Sequence, residues 1–261
     1  MVGDKFRELR VNLRNSARKI VVNILDNHFD PANNANLPDL CIFCGSSERI
    51  TREHVIPRWV FGSDPSMFFV TTSNEQSQTF IRSIVPACVK CNATCLSSIE
   101  RYIQGILSRD DLDRSATYEE LVDLLRWMEI IEYKFHVLEF RRKYRASKSR
   151  GYDPILSNVP LSVWRRSIGY SPYKAVAQLR KAQTEVTIKG KESKFHSLVI
   201  FGLTDPKPHF IHSMGSYLYF SLPQYKKALF YFIDRELDDY SAAAEEARRI
   251  IIHAYKHWAT A

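Results

Sequence analysis

The chain has 261 residues, 45% hydrophobic and 25% charged, a balance that excludes a largely disordered or fibrous chain and suits one large domain or a small module plus a larger one. Lys and Arg (37) outnumber Asp and Glu (29), for a net charge of +8 and a pI near 9.2, which favours an acidic partner such as nucleic acid. The first twenty residues are charged throughout, and no apolar run approaches the ~18 residues of a membrane span, so a soluble cytoplasmic protein is expected.

In chain order, residues 4–27 predict an amphipathic helix, with Phe6, Leu9, Val11, Leu13, Ile20, Val21, Ile24 and Leu25 as its apolar stripe. Asp30-Pro31 is expected to end it, and the Asn-rich stretch 31–38 reads as a linker. Residues 50–59 read as a strand and turn, 67–72 and 79–85 as short strands, and 92–107 as a helix. Thr117 and Glu120 form a capping-box pattern at the head of a long helix over 117–145. Residues 151–160 read as a loop and 174–183 as a helix. Strands are expected at 197–203 and 209–220, and helices at 225–236 and 241–258. The expected class is α+β. The boundaries fall at 1–36 (helix and linker), 37–112 (a small module) and 113–261 (a larger helical or α+β domain).

Five cysteines is an odd number, and four fall in two close pairs, Cys41-Ile-Phe-Cys44 and Cys88-Val-Lys-Cys91. Two residues between cysteines let a tight turn aim both thiolates at one point. Two such turns supply the four soft ligands of a structural Zn²⁺. Gly45 suits a knuckle turn that needs positive φ. A redox dithiol would need only one knuckle. Cys95 stands outside the pattern and reads as a small buried hydrophobe or inert thiol. A closed four-cysteine site has no open coordination position, so this metal is scaffold.

Between the knuckles stands Arg52-Glu53-His54-Val55-Ile56-Pro57. Asn92 directly follows the second knuckle, with Ser97 and Glu100 beyond it. Knuckle, acid-His, knuckle and Asn in this order resemble the HNH endonucleases. The nearest likeness is to the sub-pattern with two zinc knuckles, seen in phage junction resolvases of the endonuclease VII type. The resemblance spans roughly residues 39–108. It implies a ββα fold around a catalytic divalent metal, Mg²⁺ or Mn²⁺, with His54 as general base, Glu53 and Asn92 as metal ligands and Glu100 in a metal or supporting role. Ser83 stands where many members have a middle Asn, and Asn92 where many have a final His. On a regular strand Glu53 and His54 point to opposite faces. Service at one site therefore predicts a local bend, or Glu53 at the strand edge.

Residues 141–194 hold fourteen Lys/Arg against three acids, Asp153, Glu185 and Glu192. Arg141, Arg142, Lys143, Arg145, Arg165 and Arg166, interleaved with aromatics, suit a nucleic-acid track, to which Arg52 and Arg58 could add phosphate contacts. Basic residues at a helix end also complement its dipole and need no ligand. The expected function is metal-dependent hydrolysis of DNA phosphodiesters. RNA cleavage and a non-catalytic zinc module that binds nucleic acid or protein are the alternatives. The resemblance is compatible with bacterial anti-phage defence beside an ATPase or sensor protein, and an oligomer is left open.

Overall fold

A computed structural model describes residues 2–28, 37–71, 77–143, 172–189, 197–204, 207–213, 216–237 and 239–258. The expected helix stop at Asp30-Pro31, most of the linker, the 151–160 loop, and Arg145, Arg165 and Arg166 lie outside the described residues, as do the side chains of Arg142 and Lys143. The architecture is α+β. No helix among the described residues is long and apolar enough to cross a membrane.

The chain folds into two compact units that ignore the sequence boundaries expected at 36/37 and 112/113. The first comprises Met1–Val55, Ile84–Ser98 and Tyr133–Ile188; the second comprises Ile56–Ser83, Ile99–Glu132 and Lys189–Ala261.

In the first unit, α1 (Val2–His28) buries Phe6, Leu9, Leu13, Ile20, Val21 and Ile24. Val11, expected on the same stripe, is exposed. The antiparallel pair β1 (Ile50–His54) and β4 (Ile84–Cys88) runs in unbroken register from Ile50↔Cys88 to His54↔Ile84. A π-helical turn at Lys90–Leu96 follows, in which the Ser97 N–H donates to the Asn92 carbonyl, and it leads into α2 (Ser97–Leu107), which from Ile99 on is assigned to the second unit. The chain order here is strand, strand, helix. The C-terminal part of α4 (Tyr118–Lys143) and α5 (Pro172–Thr187) complete the first unit. Tyr133, fully buried, donates from its hydroxyl to the Ile42 carbonyl at 2.7 Å. Gln183 Nε2 in turn donates to the Tyr133 oxygen and to the Ala17 carbonyl, each at 3.3 Å. One buried phenol thus ties α4, α5 and α1 to the first knuckle.

The second unit is built on six strands in the order β3-β2-β6-β7-β8-β5: β2 (Phe68–Val70), β3 (Ser77–Thr79), β5 (Leu198–Gly202), β6 (His209–Ser213), β7 (Tyr217–Leu222) and β8 (Lys227–Phe232). All pairings are antiparallel except β2 with β6, which meet in parallel at Val70↔His209. Tyr219, Phe230 and Phe232 on one sheet face pack against Ala243, Ala244 and Ala247 of α6 (Tyr240–Trp258). Side chains alternate along a strand, so Phe220 and Tyr231 face the other way. Phe220 stacks on Trp127 at 5.4 Å, and the Tyr231 hydroxyl donates to Glu129 at 3.1 Å, both from the N-terminal part of α4. The short helix α3 (Leu112–Ser115) precedes α4.

Three expected elements are corrected. Residues 225–236 are not a helix: Lys226 is left-handed, and 227–232 form β8, hydrogen-bonded on both sides and buried at every position. A continuous apolar run carries no period that separates a buried strand from a buried helix. Residues 209–220 are a hairpin of two strands rather than one. Residues 79–85 divide between β3, a 3-10 turn at Phe80–Arg82 and β4, and the two strands have different partners.

The capping box is present in full. The Thr117 N–H donates to Glu120 Oε2 at 2.8 Å, and the Glu120 N–H donates to Thr117 Oγ1 at 3.3 Å. Arg109 grips the same carboxylate through two 2.8 Å bonds. Thr117→Ala is expected to lower unfolding stability by about 1 kcal/mol, read as a lower denaturant midpoint at unchanged m-value.

Candidate metal centre and the His54 strand end

Each knuckle is set by backbone chemistry before any metal is considered. In the first, the Gly45 N–H donates to the Cys41 carbonyl and the Cys41 N–H to the Ser46 carbonyl, both at 2.8 Å. Gly45 takes φ +65°, and a Cβ there would stand 3.1 Å from Ser16 Cβ, so a left-handed turn under close approach selects glycine. Ser16 Oγ of α1 caps the Cys44 carbonyl at 2.8 Å. In the second, the Cys91 N–H donates to Cys88 Sγ at 3.4 Å. The Ile42 N–H bonds the Pro86 carbonyl at 3.0 Å, joining the first knuckle to β4.

The outcome is convergence. The sulfur atoms of Cys41, Cys44, Cys88 and Cys91 all lie within 4.8 Å of one another, and Cys44 and Cys88 approach to 3.6 Å. Tetrahedral zinc thiolate sites, with Zn–S near 2.3 Å, place sulfurs about 3.8 Å apart. The cluster can hold a metal ion, and its donor set and spacing fit structural zinc.

Charge sharing among the thiols agrees. A hydrogen bond from the Cys91 thiol, with backbone bonds at Cys88, Phe43 and Cys44, draws Cys41 down to about 5 against the opposing effect of burial. Burial pushes Cys44 up to about 12. Cys91 is raised, first by its bond to Cys41 and then by burial. One thiolate is favoured and its neighbours resist a second negative charge, a conflict that a divalent cation removes. Cys95 is buried outside the cluster, and burial raises its thiol to about 11, as suits an inert cysteine.

His54 ends β1, half-buried, and the chain bends immediately after it at Val55-Ile56. Pairing stays regular through His54, so the bend expected at Glu53-His54 falls one residue later. Burial depresses the His54 pKa below its ordinary value; the nearby Glu53 carboxylate opposes this and the Lys134 ammonium adds to it. The imidazole is therefore neutral near pH 7 and able to accept a proton. Arg52, two residues back on the same strand face, is exposed. Residues i and i+2 on one strand face lie about 7 Å apart.

Thr51 and Glu53 occupy the opposite face. Asn92 Nδ2 donates to Thr51 Oγ1 at 2.9 Å, which places the Asn92 amide on that face. Glu53 is buried and paired with Lys134, whose side chain is 1% exposed and whose ammonium also donates to the His54 carbonyl at 3.1 Å. A divalent cation of the Mg²⁺ type needs open carboxylate oxygens at about 2.0–2.1 Å. The Glu53 carboxylate, closed by Lys134, does not fit that role, although the Asn92 carbonyl oxygen is of the right type.

Of the other expected site residues, Glu100 lies on α2 and Arg58 is exposed at the start of a 3-10 turn, Arg58–Phe61. Ser83, buried, donates from Oγ to the Thr79 carbonyl at 2.8 Å and so serves its own turn. Arg141, expected on the nucleic-acid track, holds Asp39 with its guanidinium in two bonds of 2.6 and 3.0 Å in a partly exposed pair. Lys134 was missed. Its signal is spacing: Glu129, Glu132, His136 and Glu139 recur on one helical face, whereas Lys134 falls on the opposite, apolar face, where a charge needs a partner.

Cys41→Ser or Cys88→Ser is expected to abolish metal retention and lower the melting temperature, whereas Cys95→Ser retains the metal. Elemental analysis of purified protein decides, and unchanged zinc content in Cys88→Ser rules out the four-sulfur site.

Comparison of the chain with protein-family models, with curated proteins and with solved structures finds no match.

Proposed function

We propose that the chain is an HNH-type endonuclease that hydrolyses DNA phosphodiester bonds, with zinc on the four cysteines as scaffold and His54 as the general base. The observation that carries this reading is the strand–strand–helix order. Its β1 ends in a half-buried His, the helical turn after β4 carries Asn92, and the two cysteine knuckles converge at the Ile50–Cys88 end of the strand pair. The order of knuckle, Glu-His, knuckle and Asn that resembles the HNH family thus coincides with an arrangement of the matching elements.

In this reading the neutral His54 imidazole accepts a proton from water as the water oxygen bonds to phosphorus. The bond to the leaving oxygen breaks, and that oxygen takes its proton from solvent. Arg52, exposed on the same strand face, holds a phosphate oxygen. Asn92 fixes Thr51 and so the strand that carries both. Zinc, when bound, supplies rigidity and no open coordination position. The net charge of +8 supports a polyanionic substrate.

The closed Glu53 carboxylate favours a second reading, a zinc module that keeps the fold and binds nucleic acid without cutting it. Cleavage of plasmid, linear duplex, single-stranded DNA and RNA by the zinc-loaded chain separates the two. Loss of cutting by about 10²-fold or more in folded, zinc-loaded His54→Ala is the expected result. A zinc-loaded wild type that binds these substrates and cuts none of them removes the nuclease reading, and cutting confined to RNA replaces the substrate.

Arg52→Ala is expected to weaken binding and reduce its salt slope by about one. Arg141→Ala is expected to leave both unchanged and to cost stability of at most about 1 kcal/mol, since its ion pair is partly exposed. Fluorescence anisotropy across a salt series reads both variants.

A further inference from the structure

We infer that Lys134 is the resident cation of the Glu53 site: its ammonium takes the place beside the carboxylate that a divalent ion would need, and Glu53 positions the His54 strand end rather than holding metal. The inference rests on the endonuclease reading for the importance of His54, but not for the identity of the cation.

Three observations carry it. The pair is closed to water, with the Lys134 side chain 1% exposed and that of Glu53 9% exposed. A second cation at the same carboxylate would face an ammonium in a low-dielectric pocket, and expelling Lys134 would strand a buried charge.

The ammonium also bridges successive residues. It holds the side chain of Glu53 and, at 3.1 Å, the backbone carbonyl of His54. That carbonyl lies on the peptide leading into the bend at Val55-Ile56, so the contact fixes the backbone from which the imidazole extends.

Finally, Lys134 is held in place by its neighbour. Tyr133 is anchored to the first knuckle through Ile42 and to α5 through Gln183. The helix delivering the ammonium is thereby fixed to the cysteine cluster. With the carboxylate already neutralised, Asn92 alone offers a hard cation one oxygen, fewer than such an ion draws from a protein site.

The test is a Mn²⁺ titration of the zinc-loaded full chain, following free Mn²⁺ by electron paramagnetic resonance, alongside DNA cleavage with and without added divalent cation. Wild type and Lys134→Arg are expected to bind no Mn²⁺ that Glu53→Gln removes. Lys134→Met is expected to gain a site, tightening Mn²⁺ binding about tenfold or more. That site should disappear in Lys134→Met/Glu53→Gln. Cleavage without added divalent cation, kept in Lys134→Arg and lost in Lys134→Met, supports the positioning role.

A wild-type Mn²⁺ site that Glu53→Gln abolishes overturns the inference, as does a folded Lys134→Met that gains none. The wild-type and Lys134→Arg titrations stand even if Lys134→Met does not fold. Wild type that binds no Mn²⁺ and cuts nothing removes the nuclease reading and leaves the resident cation. Cutting that requires Mn²⁺ on Glu53 does the reverse.

Discussion

Four sulfur atoms brought to one point by two segments 44 residues apart are the constraint on which the first unit depends. A hydrophobic core tolerates small displacements, but a tetrahedral thiolate site fixes its ligands to a few tenths of an ångström. The surrounding bonds meet that demand by holding carbonyls. Ser16 caps Cys44, Tyr133 caps Ile42, and the Ile42 N–H takes Pro86. Each joins a knuckle to a different element, so helices distant in sequence are organised around the cysteines. Both knuckles meet the strand pair at one end, where Ile50 lies opposite Cys88, and the second leads into the helical turn that carries Asn92; His54 lies at the other end of the pair, opposite Ile84.

The parts of this arrangement legible in sequence are those written in short spacings. Two residues between cysteines, a Thr three residues before a Glu, and a glycine after a knuckle each specify a local geometry, and each is found in the structure. Long-range pairing leaves no such mark. Nothing in residues 56–83 announces that they join a sheet with residues 198–232, so the expected boundaries and the folded units differ. The same limit explains β8: Lys-Ala-Leu-Phe-Tyr-Phe is apolar almost throughout, and only its neighbours on both sides make it a strand. The pairing of Arg141 with Asp39 is equally unmarked, because the two are 102 residues apart.

Helix α4 shows how burial dictates polar chemistry. Most of its surface is enclosed, yet it carries Asp123, Glu129, Glu132, Lys134 and His136 within that enclosure. A charge in such a helix is retained only with a partner, and the two partners described each have a distinct consequence. Glu129 accepts from Tyr231 of β8, and Lys134 meets Glu53 near the end of β1. An apolar pair of equal volume can pack as well as such a contact, but it does not fix which residue meets which. For Glu53 the specification reaches chemistry, since the group that orients the strand end also decides which cations its carboxylate can accept.

The parallel meeting of β2 with β6 at Val70↔His209 bears on synthesis. Residues 68–79 leave the ribosome about 140 residues ahead of their partner, an interval of roughly 7–28 s at ordinary elongation rates. During that time the β2–β3 pair has no third strand and no sheet to cover its apolar side chains, and two strands alone are marginal in water. Phe69 and Phe80, buried in the finished fold, are then accessible to chaperones or to the same segment of another nascent chain. The order of emergence opposes the order of placement. Slower translation through the stretch before residue 209 lengthens that exposure, so the elongation rate there sets how long β2 and β3 wait for β6.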